Sequence, residues 1–104
     1  MSAIRTPAVA GLFYPADPRQ LAHDVQQFLS QAHPHSLTPK ALIVPHAGYI
    51  YSGAIAATAY ATLLPLAARI RRVVLLGPTH RVAVRGLALP GVEAFDTPLG
   101  RVML

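Results

Sequence analysis

Cysteine is absent from this sequence. Neither a disulfide framework nor a thiolate metal site can therefore form within its 104 residues, and the lack of disulfides fits a reducing compartment. Acidic residues are nearly as scarce, four against nine lysines and arginines. The formal charge of +5 and the isoelectric point near 10.5 thus reflect missing acids as much as added bases. Those bases are scattered, and only Arg69, Arg71 and Arg72 cluster. No aromatic residue interleaves with that cluster and no helical stripe is basic, so no nucleic-acid partner is expected. The cluster reads instead as the flank of a buried strand. The opening Met1-Ser2-Ala3-Ile4-Arg5 lacks the basic start and apolar stretch of a signal peptide. No apolar run approaches the ~20 residues that span a bilayer, and no repeat or low-complexity tract is present. These absences lead to the expectation of a soluble, cytoplasmic protein with no membrane partner.

What the chain does have is apolar surface. Hydrophobic residues make up 53% of it, charged residues 12%, and the mean hydropathy is +0.41. That is too apolar for a disordered chain and too apolar for a comfortable free-standing surface. A length of 104 residues allows at most one domain. Arg101-Val102-Met103-Leu104 reads as the start of a strand that stops without a polar tail. The expectation is that residues 1–104 form the N-terminal part of a single domain, truncated at the C-terminus. Alone, such a piece should be poorly stable or associate with itself, because an unpaired sheet edge and bare apolar faces are left open.

Along the chain, Pro7, Gly11 and Pro15 punctuate an extended or looped opening. Asp17-Pro18 starts a helix: Asp17 can cap it, Pro18 suits its first position, and Gln20 sits where a capping box places its second member. Leu21, Val25, Phe28 and Leu29 form its apolar stripe, His23 lies on the polar side, and the helix ends before Pro34. The uninterrupted runs Ala41–Val44 and Arg72–Leu76 read as strands buried on both faces, as in a parallel sheet. Between them, Ser52 looks like the N-cap of a second helix marked by Ala56, Ala59, Tyr60, Leu63 and Leu64. Strand, helix and strand predict a βαβ unit with adjacent parallel strands. Gly86 to Leu89 reads as a further short strand. Thr97-Pro98-Leu99-Gly100 is a turn feeding a strand at Val102. The fold class is α/β, an open, largely parallel sheet with flanking helices.

Both predicted core strands end in a proline followed by a histidine: Val44-Pro45-His46 and Gly77-Pro78-Thr79-His80. Ligands of open α/β sheets bind just beyond the carboxyl ends of the strands, so His46 and His80 can meet there if the strands are neighbours. Neutral imidazole is a common ligand for transition metals. Two imidazoles make only part of a site, because catalytic zinc and non-haem iron usually need three protein ligands. An ordinary pair of hydrogen-bonded histidines and a metal-free acid–base pair are alternative readings. His23, His33 and His35 read as solvated surface residues. Tyr49 and Tyr51 flank the site, one suited to line a pocket and the other to pack into the core. A helix N-terminus near Ser52 and Gly53 would favour an anion, although plain capping explains Ser52 equally well.

Four segments, Pro7-Ala-Val-Ala-Gly-Leu-Phe-Tyr-Pro15, Val44-Pro-His-Ala-Gly-Tyr-Ile-Tyr-Ser-Gly53, Leu76-Gly-Pro-Thr-His80 and Thr97-Pro-Leu-Gly100, resemble the Memo family. Its bacterial and archaeal members are also called AmmeMemoRadiSam system protein B. The resemblance extends over essentially the whole chain, with the motifs in the family's order. It implies a fold similar to class III extradiol dioxygenases, the catechol-cleaving non-haem iron enzymes. It also implies that His46 and His80 match two histidines of the family's metal site. The remaining ligand, a cysteine in eukaryotic members, and a further pocket histidine are expected downstream of Leu104. Tyr51 matches a pocket tyrosine, and Phe13 stands where some relatives place tryptophan beside the cleft.

Two functional expectations follow. One is a metal-dependent oxidoreductase, dioxygenase-like, with iron(II) as first choice and copper as second. The other is a non-catalytic protein whose cleft recognises a peptide, a small anion or a protein partner, since one fold hosts many functions.

Overall fold

A computed structural model describes residues 3–33 and 36–104. Its elements run β1 (Ile4–Arg5), α1 (Pro18–Gln31), α2 (Tyr49–Tyr60), a 3-10 helix (Ala61–Arg69), β2 (Ala94–Thr97) and β3 (Gly100–Met103). The architecture is α/β, but the sheet is small and mixed rather than largely parallel. β1 pairs parallel with β2, matching Ile4 to Ala94 and Arg5 to Phe95. β2 pairs antiparallel with β3, from Ala94 opposite Met103 to Thr97 opposite Gly100.

α1 forms for the local reasons its sequence announces. The Asp17 carboxylate accepts from the Gln20 backbone N–H at 3.4 Å, with Pro18 in the first turn. The capping box is only half made, because the Gln20 amide donates onward to Asp24 at 2.7 Å instead of back to the cap. Leu21 is buried, and Val25, Phe28 and Leu29 are half-buried beside it. The helix ends at Gln31 as Ala32 turns extended. The predicted loop from His33 to Ser36 includes Pro34 and His35, which lie outside the described residues.

α2 starts earlier than the sequence suggests. Gly48, not Ser52, occupies the cap position, and Ser52 lies inside the first turn with 5% of its surface exposed. From there its hydroxyl accepts from the backbone N–H of Ala47 at 2.8 Å. Beyond Tyr60 the helix tightens into 3-10 geometry around Pro65. Proline offers no N–H to either kind of helix, and in α geometry its ring collides with the carbonyl four residues back, a collision that tighter winding relieves. α2 and this extension form one apolar helical stretch, Tyr49–Arg69, of 21 residues. By length and composition alone it passes as a membrane span, which corrects the sequence-based expectation of no such run. α1 packs against its α2 part.

The βαβ unit does not form. Neither 41–44 nor 72–76 enters a strand, nor does 86–89. Ile43 is fully exposed, and Val73 to Leu76 are 72–85% exposed. A continuous apolar run records a preference for burial, whereas a strand requires a partner offering N–H and C=O groups in register. Among the described residues these runs have none. The chain exposes 8972 Å², where a compact protein of 11.1 kDa exposes about 5,700 Å². Its radius of gyration, 14.9 Å, likewise exceeds the roughly 13 Å of a compact domain this long. The buried core is accordingly thin: Leu21, Ala57, Ala61 and Ala94.

Candidate functional site

The residues that bring His46 into place come from three segments. The turn at Val9–Tyr14 depends on Gly11, whose φ of 82° is left-handed and whose N–H donates to the Tyr14 carbonyl at 2.7 Å. This turn aims the Phe13 carbonyl at α2, where it accepts from the Tyr49 N–H at 2.8 Å. A Cβ on Gly48 would stand 3.5 Å from that same carbonyl, so the two loops lie in close contact. On the other side, Ala47 N–H donates to Ser52 Oγ. The Gly48 carbonyl accepts from Tyr51 N–H at 2.9 Å and Ser52 N–H at 3.0 Å. His46 is thus carried on a short loop bonded both to the first turn of α2 and to the Phe13 turn.

His80 comes from the other side, on the exposed segment that follows Leu76. The two imidazole rings lie with centroids 5.4 Å apart and planes inclined by 36°. They meet although the parallel strands expected to bring them together are not paired. An ion held at about 2.0–2.1 Å by one nitrogen of each ring would separate the ring centres by roughly 4.5–5.5 Å. The observed spacing lies at the wide end of that range. Both rings are exposed. Among the described residues neither ring hydrogen-bonds to a carbonyl or carboxylate, contrary to the expectation for a fully supported ligand histidine. No group of three or more His, Cys, Asp or Glu side chains comes together among the described residues. The pair is therefore an incomplete donor set, accessible to solvent.

The two tyrosines divide as their flanking positions suggest. Tyr49 turns inward, 5.5 Å from the Tyr14 ring and 6.5 Å edge-on from Phe28. Burial, followed by the nearby Tyr14 and Tyr60, pushes its hydroxyl pKa above the ordinary tyrosine value. Tyr51 stays 75% exposed and Phe13 49% exposed, as aromatic surface on either side of the Gly48 contact. His23 and His33 are exposed, as are Arg69, Arg71 and Arg72, while His35 lies outside the described residues. An anion site at Ser52 and Gly53 is overturned: Ser52 is buried and Gly53 packs against the Phe28 ring. The sequence reading missed the Ala47–Ser52 clamp. A serine followed by glycine at a helix start signals capping, and only the direction of the hydrogen bond separates a cap from a clamp.

The family model for Memo-like protein matches residues 5–104. The chain is 42% identical over 98 residues to Protein MEMO1 of Xenopus laevis, covering 94% of this chain and 32% of that protein. It is 39% identical over 100 residues to a MEMO1 family protein of Aquifex aeolicus, covering 95% and 36%. A MEMO1 family protein of Methanocaldococcus jannaschii is 41% identical over 116 residues, covering 98% and 39%. The chain spans about a third of the length of the curated relatives it matches. With its motifs in order and 100 consecutive residues matched by the family model, the chain belongs to the Memo-like protein family.

Proposed function

We propose that His46 and His80 are two ligands of a metal site, and that this site serves a metal-dependent, dioxygenase-like oxidoreductase acting in the cytoplasm. The observation that carries this reading is the 5.4 Å separation of the two rings, which come from segments far apart in sequence. When bound, iron(II), or copper as second choice, would supply Lewis acidity and electron transfer to a small-molecule substrate. His46 and His80 would hold the ion. Phe13 and Tyr51 would offer aromatic surface to orient the substrate, and the Tyr51 hydroxyl, which makes no hydrogen bond among the described residues, could hydrogen-bond it. The third ligand is assigned to residues beyond this chain.

The test is metal analysis of the intact protein after anaerobic loading with iron(II), and separately with copper. His46→Ala and His80→Ala should each abolish stoichiometric binding while leaving the far-UV circular dichroism unchanged, because both side chains are exposed. Unchanged stoichiometry in both variants would sink the assignment. Oxygen uptake with a panel of aromatic diols then tests the dioxygenase-like step.

A second reading draws on the exposure of Tyr51 and Phe13. In it, the face recognises a peptide, a small anion or a protein partner without catalysis. Metal loading without oxygen consumption, together with peptide binding lost in Tyr51→Ala, would favour that reading.

A further inference from the structure

We infer that Ser52 is a positioning residue for His46, acting through the backbone of Ala47. The inference rests on the metal-ligand reading of His46 but concerns the protein's own geometry. Ser52 is the one buried polar side chain among the described residues, at 5% exposure, in a first helical turn otherwise made of Tyr49, Ile50 and Tyr51. A serine inside a helix ordinarily returns its hydroxyl proton to a carbonyl of the preceding turn, as the hydroxyl of Thr58 does to the Ala54 carbonyl at 3.2 Å. The Ser52 oxygen instead reaches out of the helix and accepts the Ala47 N–H at 2.8 Å.

That amide immediately follows His46 and precedes the helix, so no intrahelical acceptor exists for it. Without Ser52 it would turn to water, and the peptide carrying His46 would be free to rotate with it. The Tyr49 N–H to Phe13 carbonyl bond fixes the other end of the same loop. His46 thus stands immediately before a loop held at two points, and Ser52 Oγ is the side-chain point. His80 has no comparable anchor among the hydrogen bonds of the described residues, so of the two rings His46 is the one whose place these bonds define. Outer-shell partners of metal ligands typically change affinity about 10–100-fold. Ser52 acts one peptide further out, so the lower end of that range is expected.

The experiment compares Ser52→Ala and Ser52→Thr in the intact protein. Thermal melts first establish that each variant folds. Without added metal, Ser52→Ala should lose hydrogen-exchange protection at the Ala47 amide and lose the nuclear Overhauser contact between the His46 and His80 rings. Contacts between Phe28 and Tyr49 should persist, since they do not involve the hydroxyl. Ser52→Thr, which keeps an oxygen at the same atom, should restore both signals. Anaerobic iron(II) titration should then weaken about tenfold in Ser52→Ala and recover in Ser52→Thr. Retained Ala47 protection and ring contact in Ser52→Ala would overturn the inference, whatever the metal data show. Loss of both signals with iron(II) binding unchanged, in this variant and in His46→Ala, would uphold the positioning role and overturn the metal reading alone.

Discussion

Gly53 of α2 faces the ring of Phe28 on α1 so closely that a Cβ built there would stand 2.6 Å from Phe28 Cε2 and 2.8 Å from Cζ. The crossing of the two helices, and with it the placement of the His46 loop at the start of α2, depends on that missing carbon. Gly53→Ala gains about 0.5–1 kcal/mol of helix propensity and incurs an overpacking penalty of about 1–3 kcal/mol. The net expectation is a loss of up to about 2.5 kcal/mol, read as a lower thermal midpoint. Phe28→Leu in the Gly53→Ala background should recover part of it. A raised midpoint in Gly53→Ala would mean the helices do not pack this closely.

The cap of α1 offers a second measurement. Asp17 accepts from the Gln20 N–H at 3.4 Å, a long bond at an exposed site. Asp17→Ala should cost about 0.5–1 kcal/mol, the lower part of the range for N-cap removal, while Asp17→Asn should lie within a few tenths. Chemical denaturation of the three proteins in parallel provides the comparison.

Alkaline pH should act through Tyr49. Its folded-state pKa is raised, so the folded protein keeps a proton that the unfolded chain releases. The stabilisation is fully present below the ordinary tyrosine value of about 10 and is lost as pH rises through the folded value. The denaturation midpoint should therefore fall above pH 10 more steeply in the wild type than in Tyr49→Phe. Equal slopes would place Tyr49 in solvent.

Self-association is expected of residues 1–104 expressed alone. The surface beyond that of a compact protein is far larger than the ~1,200–2,000 Å² of an ordinary interface. The outer edge of β3 is unpaired among the described residues and carries exposed Val102 and Met103. Sedimentation velocity should show concentration-dependent oligomers, reduced by Val102→Lys on that edge. A monodisperse monomer with a cooperative melt would contradict this.

At the C-terminal hairpin, acid should release a cross-strand ion pair. Arg101 Nε donates to Asp96 Oδ1 at 2.7 Å and Nη2 to Oδ2 at 3.2 Å, which holds the carboxyl below its usual range. The lowered folded pKa means that this contribution is present above the unfolded value, 3.8, and is lost as pH falls through the folded one. The pair is solvent-exposed, so Asp96→Asn should change the thermal midpoint only slightly at neutral pH. Any difference from wild type should vanish in acid.

Local chemistry was legible wherever neighbouring residues settle a conformation. Asp17, Pro18 and the Leu21–Leu29 stripe announce α1, and the turn at Thr97–Gly100 is equally plain. In that turn Pro98 sets a negative φ, Leu99 has no positive φ, and Gly100 takes up the twist at φ 132°. The pairing of Ile4–Arg5 with Ala94–Phe95 was not legible, because nothing in either short segment names its distant partner. The runs at 41–44 and 72–76 misled for the same reason: hydrophobicity encodes a demand for burial, and a ladder needs the strand that answers it.

The sequence by itself determined the family, through motifs whose order and residues survive any arrangement of the chain. It also determined the two histidines as the candidate ligands. Only the tertiary structure decided that their rings stand 5.4 Å apart, that Tyr49 packs inward while Tyr51 faces out, and that Ser52 clamps a loop instead of capping a helix. The physical reason is that spacing along a chain limits which groups can meet. Which of them do meet is set by non-local packing, here the contact of α1 with α2 and of the Phe13 turn with Gly48.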